Sequence, residues 1–232
     1  MCHCFYLSIR TRDYKSRRFS CVRSCRLDQT RGPLPKGIER REREGNTMAT
    51  TALLVCDIQN GIVDRVQSQD TESFLQRLSE TIEAARKAGI QVIYVRVAFR
   101  PGCPEASLRN ASFARIKAHG GFTESDASTQ IHAAVAPREG DIVVTKRRVS
   151  ALYGTDLDLI LRSLGIETLV ISGLSTSGVV MSTVRQGADM DYKLVVLEDL
   201  CQDTEQEMHD AAMKVIGKQA QVVGSAGWVA QL

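Results

Sequence analysis

Two side chains of opposite charge, Asp57 in "LLVCDIQN" and Lys146 in "DIVVTKRR", each close a short apolar run rich in β-branched residues. A carboxylate beside an ammonium is either held charged and oriented or shares a proton with it, so the two form an acid/base unit wherever a fold brings them together. The structural alternative is an ion pair that only fixes loops. A third candidate is "GLSTSGVVMSTVR" (173–185), where a strand gives way to a helix and hydroxyls cluster at Ser175, Thr176, Ser177 and Ser182. A serine there needs a positioned base to act as a nucleophile, and otherwise caps the helix. Arg96 and Arg100 end another apolar run. A guanidinium at such a place grips a substrate carboxylate with two hydrogen bonds or forms a salt bridge, and Arg100, which begins a loop, is the better placed. Arg147 and Arg148 alternate sides after Lys146, so at most one of them faces a shared pocket.

Residues of this kind act together only if the elements between them align their ends. Short apolar runs lie at 51–57, 90–98, 141–146, 168–173, 193–199 and 221–224. Helical spacing of apolar residues marks 70–89, 155–165, 177–190 and 204–220, with a short helix expected over 129–136. Six strands alternating with helices predict an α/β fold, a three-layer sandwich around a six-stranded parallel sheet. Ligands of such sheets bind outside the carboxyl ends of the strands. That rule gathers Asp57, residues 96–100, Lys146, the 173–179 turn and Asp199 without further assumption. The stretch "FRPGCPEASLRNASFARIKAHGGFTESD" is long for a plain connection and reads as a functional loop. No G-x-G-x-x-G follows the first strand, so a dinucleotide site is not expected.

The 232 residues carry a formal charge of +3. Residues 1–47 hold ten Arg and two Lys against five acids, so the charge splits into +7 for this tail and −4 for the remainder. The basic character therefore belongs to the tail, and nucleic acid is not an expected partner of the folded part. No apolar run reaches the roughly 20 residues of a membrane helix, so no membrane partner is expected either. Residues 1–49 read as a disordered basic extension or a transit-like segment, with Met48 as an alternative start; residues 50–232 form the folded domain. The expected compartment is the cytoplasm, or an organelle if the tail is a transit peptide. Of the seven cysteines, the three outside the tail, Cys56, Cys103 and Cys201, show no disulfide framework.

"LLVCDIQNGI", "VVTKRRVSALYGTDLDLILRSLGIETLVISG" and "STSGVVMSTVRQGADMDYKLVVLEDLC" together resemble the isochorismatase-like (cysteine) hydrolase superfamily, from about residue 51 to about 225. The resemblance implies a Rossmann-like six-stranded parallel sheet and a triad of aspartate, lysine and cysteine. The aspartate maps to Asp57 and the lysine to Lys146; the cysteine position falls on Val179, which has no nucleophile, acid or base. Isochorismatases resemble this arrangement: they keep the aspartate and lysine, have glycine at the nucleophile position, and protonate a vinyl ether. Ser182 lies roughly 300° of helix beyond Val179 and points elsewhere. Ser177 and the loop residue Cys103 are substitute nucleophiles that stay open, whereas Cys56 is expected in the core. Gln59, Arg100, Tyr153, Thr176 and Ser177 are expected to line the pocket. The metal ligands of nicotinamidases have no counterpart in "VRVAFRPGCPE", so neither metal nor other cofactor is expected. The resemblance implies a hydrolase of a small polar molecule, working through Asp57 and Lys146, in a homodimer or homotetramer. The alternative is a pseudoenzyme that binds a small molecule or a partner.

Overall fold

The computed structural model describes residues 50–66 and 70–232. The expectations for residues 1–49 lie outside the described residues. Six strands form a single sheet: β1 (Thr51–Cys56), β2 (Gln91–Val97), β3 (Ile142–Lys146), β4 (Thr168–Leu174), β5 (Lys193–Gln202) and β6 (Gln221–Val223). All neighbours pair in parallel, in the order β3-β2-β1-β4-β5-β6. The helices are α1 (Asn60–Val63), α2 (Thr71–Lys87), α3 (Ala111–His119), α4 (Leu157–Ser163), α5 (Met181–Asp189), α6 (Gln206–Ile216) and α7 (Ser225–Val229).

The central strand explains the layering. Every residue of β1 is buried, so its sequence reads as an unbroken apolar run. The pleat nonetheless sorts its side chains between two faces. Ala52, Leu54 and Cys56 pack with Leu157 and Leu161 of α4, Val184 of α5, and Met213 and Ile216 of α6. Leu53 and Val55 pack with Phe74, Leu78 and Ile82 of α2 and Trp228 of α7. Each large apolar side chain so enclosed contributes about 1.5–3 kcal/mol. Cys56 is one of them and fills the core as expected.

The connections depart from the sequence pattern in three places. The long loop contains a nine-residue helix, α3, whose N-cap Asn110 accepts hydrogen bonds from the backbone of Ser112 and Phe113. Phe99, Phe113 and Phe122 gather with Cys103 into a small apolar cluster of their own, with Phe99 and Phe113 edge to face at 5.7 Å. Residues 129–136 do not form one helix. They hold parts of two 3-10 turns, Ala127–Thr129 and Ala133–Val135, because their backbone bonds elsewhere: the Asn60 N–H donates to the Gln130 carbonyl at 3.0 Å and the His132 N–H to the Ile58 carbonyl at 2.9 Å. Finally, the chain closes with α7, which periodicity did not mark. Asp199 anchors its start, accepting from the Ser225 N–H at 2.7 Å and hydroxyl at 2.6 Å. That strand-end carboxylate is thereby committed to the fold.

Candidate active site

In the order β3-β2-β1-β4-β5-β6 the connection reverses direction between β1 and β4. A crevice opens at such a switch point because the loops on either side leave toward opposite faces. Asp57 follows β1 there, and Leu174 ends β4 beside it. Asp57 has φ of 58°, a left-handed conformation that Asp tolerates better than most residues and that ends the regular pleat. Lys146 ends β3, two strands from β1, so its stem must span the end of β2 to arrive. It does: Nζ lies 2.8 Å from Asp57 Oδ2 and also donates to the Arg148 carbonyl at 3.1 Å. Both residues are buried, at 5% and 3% exposure.

The pair forms part of the wall of a cavity of about 310 Å³. The remaining walls are mostly apolar, with Ile62, Val97, Phe113, Phe122, Leu174 and Val179 prominent, and with Arg65, Arg148 and Ser175 among the polar residues. Among the described residues, no cysteine lines it. Burial pushes the Asp57 carboxyl above its ordinary range, and the charge and hydrogen bond of Lys146 pull it only part of the way back. Among the described residues, Asp57 Oδ1 is buried without a hydrogen-bond partner. A buried acceptor left open in this way costs about 1–3 kcal/mol. A proton on that oxygen, or a donor brought by a ligand, would satisfy it.

The turn after β4 places Val179 on the cavity, 2% exposed. The Leu174–Ser175 peptide bond is cis. The chain then takes a π-helical turn, Thr176–Val180, before α5. Of the hydroxyls in this stretch, Ser175 lines the cavity. Thr176 is fully buried and shares a 2.8 Å hydrogen bond with His209 Nδ1, while the Ser177 N–H donates to Asp203 Oδ2 at 2.7 Å. Neither Thr176 nor Ser177 is among the lining residues.

The other expected pocket residues are spread more widely. Tyr153 is 61% exposed and lies outside the cavity lining. Arg100 is ion-paired with Glu105 and also lies outside it. Glu105 further holds Arg147 at 2.9 Å, and Glu124 takes the other side of the same guanidinium. Arg147 is thereby turned to carboxylates, and Arg148 is the one of the two that reaches the cavity. Arg96 Nε donates to the Thr145 hydroxyl at 3.2 Å. Cys103 is 4% exposed within the phenylalanine cluster, away from the lining. Among the described residues, no three His, Cys, Asp or Glu side chains gather as metal ligands.

Gln59 is fully buried and supports the site from behind. Its Nε2 donates to the carbonyls of Val97 at 2.9 Å and Thr129 at 2.7 Å, and its Oε1 accepts from the Val97 N–H at 2.8 Å. One side chain thus ties the turn after β1 to the end of β2 and to the segment at 129. Gln59→Leu has nearly the same volume but leaves three buried backbone groups unpaired. It is expected to lower stability by about 3 kcal/mol, read as a fall in the urea midpoint at unchanged m-value.

Arg65 and Arg148 were not singled out as pocket residues by spacing. Arg65 is carried to the rim by α1 and the turn after it, and Arg148 sits two residues past Lys146. The usable signal was the alternation after Lys146, which allowed only one of Arg147 and Arg148 to face the site.

A family model described as "Isochorismatase domain" matches residues 51–227. YwoC, an uncharacterized isochorismatase family protein of Bacillus subtilis (strain 168), is 32% identical over 167 residues, covering 72% of this chain and 85% of that protein. The ureidoacrylate amidohydrolase RutB of Methylobacterium radiotolerans is 32% identical over 211 residues, covering 79% of this chain and 77% of that one. The crystal structure of a cysteine hydrolase from Pseudomonas syringae pv. phaseolicola 1448A superposes with a TM-score of 0.72 at 21% identity, over 79% of this chain and 92% of the other. At that identity the likeness speaks for the fold alone.

Proposed function

The chain belongs to the isochorismatase family, and from that premise we propose that it hydrolyses a small polar molecule by proton transfer at Asp57 and Lys146, without a covalent cysteine intermediate. The observation that carries the reading is the buried pair, 2.8 Å apart on a cavity wall, with one Asp57 oxygen left open. In this reading burial, which raises the Asp57 carboxyl above its ordinary range, favours the acid form. The carboxylic acid gives its proton to a carbon of an electron-rich double bond, such as a vinyl ether. Water adds to the resulting oxocarbenium ion, the hemiketal releases an alcohol and becomes a ketone, and the proton lost by water returns the carboxylate to its acid form. Lys146 holds the transient carboxylate between the two steps.

An amide is the bond class named for the relative RutB. Thiol attack on an amide has no group at Val179 to perform it, and among the described residues no cysteine lines the cavity, which favours protonation over thioester chemistry here. A second reading, a small-molecule-binding subunit without turnover, draws on the same valine. A panel of vinyl ethers and amides, assayed with the wild type and with Lys146→Ala, separates them. The expected result is turnover of a vinyl ether by the wild type that falls at least about 100-fold in Lys146→Ala. Equal background rates in the two proteins across the panel would select the binding subunit.

A further inference from the structure

Resting on the hydrolase reading, we propose that Ser175 is a further catalytic residue: its hydroxyl and the open Oδ1 of Asp57 together hold the water that attacks the protonated substrate. Ser175 stands at the N-cap position of the π-helical turn, where a serine ordinarily caps, yet its side chain makes no capping hydrogen bond. Among the described residues no other hydrogen bond engages that hydroxyl. The hydroxyls around it are committed: Ser172 donates to the Leu54 carbonyl at 3.1 Å, and Thr176 bonds to His209. Ser175 is half-buried on the cavity wall, whereas the other hydroxyl residues of that wall, Ser112 and Thr204, are exposed. A close contact also fixes the group. A Cβ placed on Gly178 would lie 2.6 Å from Ser175 Oγ, with Ser175 Cβ next at 3.9 Å. The hydroxyl thus occupies room that a side chain at 178 would fill.

Asp57 supplies the other end. Its side chain is buried, Oδ2 is taken by Lys146, and among the described residues Oδ1 has no partner. Cys56 pairs with Gly173 on the adjacent strand, so Asp57 and Ser175 stand one and two residues past a paired position, on the wall of the same cavity. Adjacent strands run about 4.8 Å apart, and one water with two hydrogen bonds of ordinary length bridges oxygens up to about 5.5 Å apart. Two polar partners suffice to seat a water. Leu174 and Val179, which complete this part of the wall, are apolar and offer it no competing partner from their side chains.

The hydration step needs such an arrangement. A carboxyl oxygen presents two lone-pair directions, so Oδ1 carries the acid proton along one and accepts from the water along the other. The water's two hydrogens point to Oδ1 and to Ser175 Oγ, and a lone pair is left for the substrate. When the Oδ1–H bond breaks and the new carbon–hydrogen bond forms, the neighbouring carbon becomes the oxocarbenium centre. The water oxygen bonds to that carbon, one water O–H bond breaks, and its proton goes to Oδ1, which restores the acid. Ser175 keeps its own proton throughout and only holds the second hydrogen, so that the nucleophile faces the carbon as the cation forms.

The test has two arms, both on the full chain. Crystal structures of the wild type and of Ser175→Ala are expected to show an ordered water within about 3.0 Å of both Asp57 Oδ1 and Ser175 Oγ in the first, and its loss from the second. In kinetics with the panel vinyl ether that the wild type turns over fastest, Ser175→Ala is expected to lower kcat by about 10–100-fold, with KM changed by less than about 3-fold and the pH limb of Asp57 in place. Ser175→Thr, which restores a hydroxyl, should recover most of the rate. Gly178→Ala, whose methyl displaces the Ser175 hydroxyl, should match Ser175→Ala and add less than about 2-fold to it in the double variant; it also serves if Ser175→Ala folds poorly. A wild type without the bridging water, a water unchanged in Ser175→Ala, an unaffected kcat, or losses that multiply in the double variant would each overturn the proposal. The crystallographic arm needs no turnover, so the two readings fail separately. A bridging water in a chain that turns over no vinyl ether removes the hydrolase and keeps the water site.

Discussion

Asp57→Asn is expected to lower kcat/KM by roughly 10²–10⁴-fold, the range a positioned acid contributes. The carboxamide has the carboxyl's shape and its oxygen still accepts from Lys146, so circular dichroism should show the fold retained while the proton that drives the reaction is gone. The pH dependence gives the sign. Burial raises the Asp57 pKa in the folded chain, so the acid form persists to higher pH than an exposed aspartate allows. A reaction that needs this proton is present at low pH and is lost as pH rises through the raised value. The kcat/KM profile should therefore descend with a limb above the ordinary carboxylate range. In Lys146→Ala the influence that lowers the Asp57 pKa is removed, so the limb of the residual activity should move to higher pH. A profile that climbs with pH through the same range would make Asp57 a base and end the general-acid mechanism. Folding stability follows the same linkage: because the folded state holds this proton more firmly than the unfolded chain, the Asp57 contribution declines as pH rises from the ordinary carboxylate range through the raised value.

The parts of this site that lie at strand ends were legible in the sequence, and the physical reason is simple. A buried parallel strand must be a run of apolar residues, and the first polar residue after it must emerge at the sheet's carboxyl edge. Asp57 is such a residue and Lys146 closes the edge strand β3, and the carboxyl-edge rule brings them together although 89 positions separate them. The turn after β4 was half legible. The family resemblance, aligned on Gly173 and Thr176, put Val179 at the site, but helical spacing at 3.6 per turn does not anticipate a π-helical turn, which changes the phase of every side chain in it. Ser175, just before that turn, lines the cavity, while Thr176 and Ser177 bond to His209 and Asp203. The arginines were the least legible. Whether an arginine serves the fold or a ligand depends on which carboxylates lie near it, and Glu105 and Glu124 reach Arg147 from 42 and 23 residues away. Nothing local to "KRR" distinguishes Arg147 from Arg148 in that respect.

Gly173→Ala is expected to destabilise the chain by more than about 4 kcal/mol. Gly173 pairs with Cys56 on β1 and with Cys201 on β5, so it stands in the middle strand of three at the switch point. Its φ is +149°, which disfavours any side chain, and an ideal Cβ there would lie 2.3 Å from the Cys56 carbonyl oxygen and 2.7 Å from Cys56 Cβ. Neither atom can yield alone, because Cys56 is fully buried and its strand is paired on both sides. Gly165 supplies the control. Its φ is +68° but nothing lies within 4 Å of a Cβ placed on it, so Gly165→Ala should cost only the conformational penalty of about 1–2 kcal/mol. Urea unfolding of the two variants separates the contributions, with soluble yield as the readout if the first does not fold. Equal losses would mean that the close approach of β1 and β4 relaxes at no cost. If Gly173→Ala does fold, the only relief is a shift of the Cys56 carbonyl, and Asp57 is the next residue. Its Oδ2 then leaves the 2.8 Å contact with Lys146, so activity should fall by more than the loss of folded protein accounts for. The close approach of Gly173 to Cys56 would in this way also help to aim the Asp57 carboxyl.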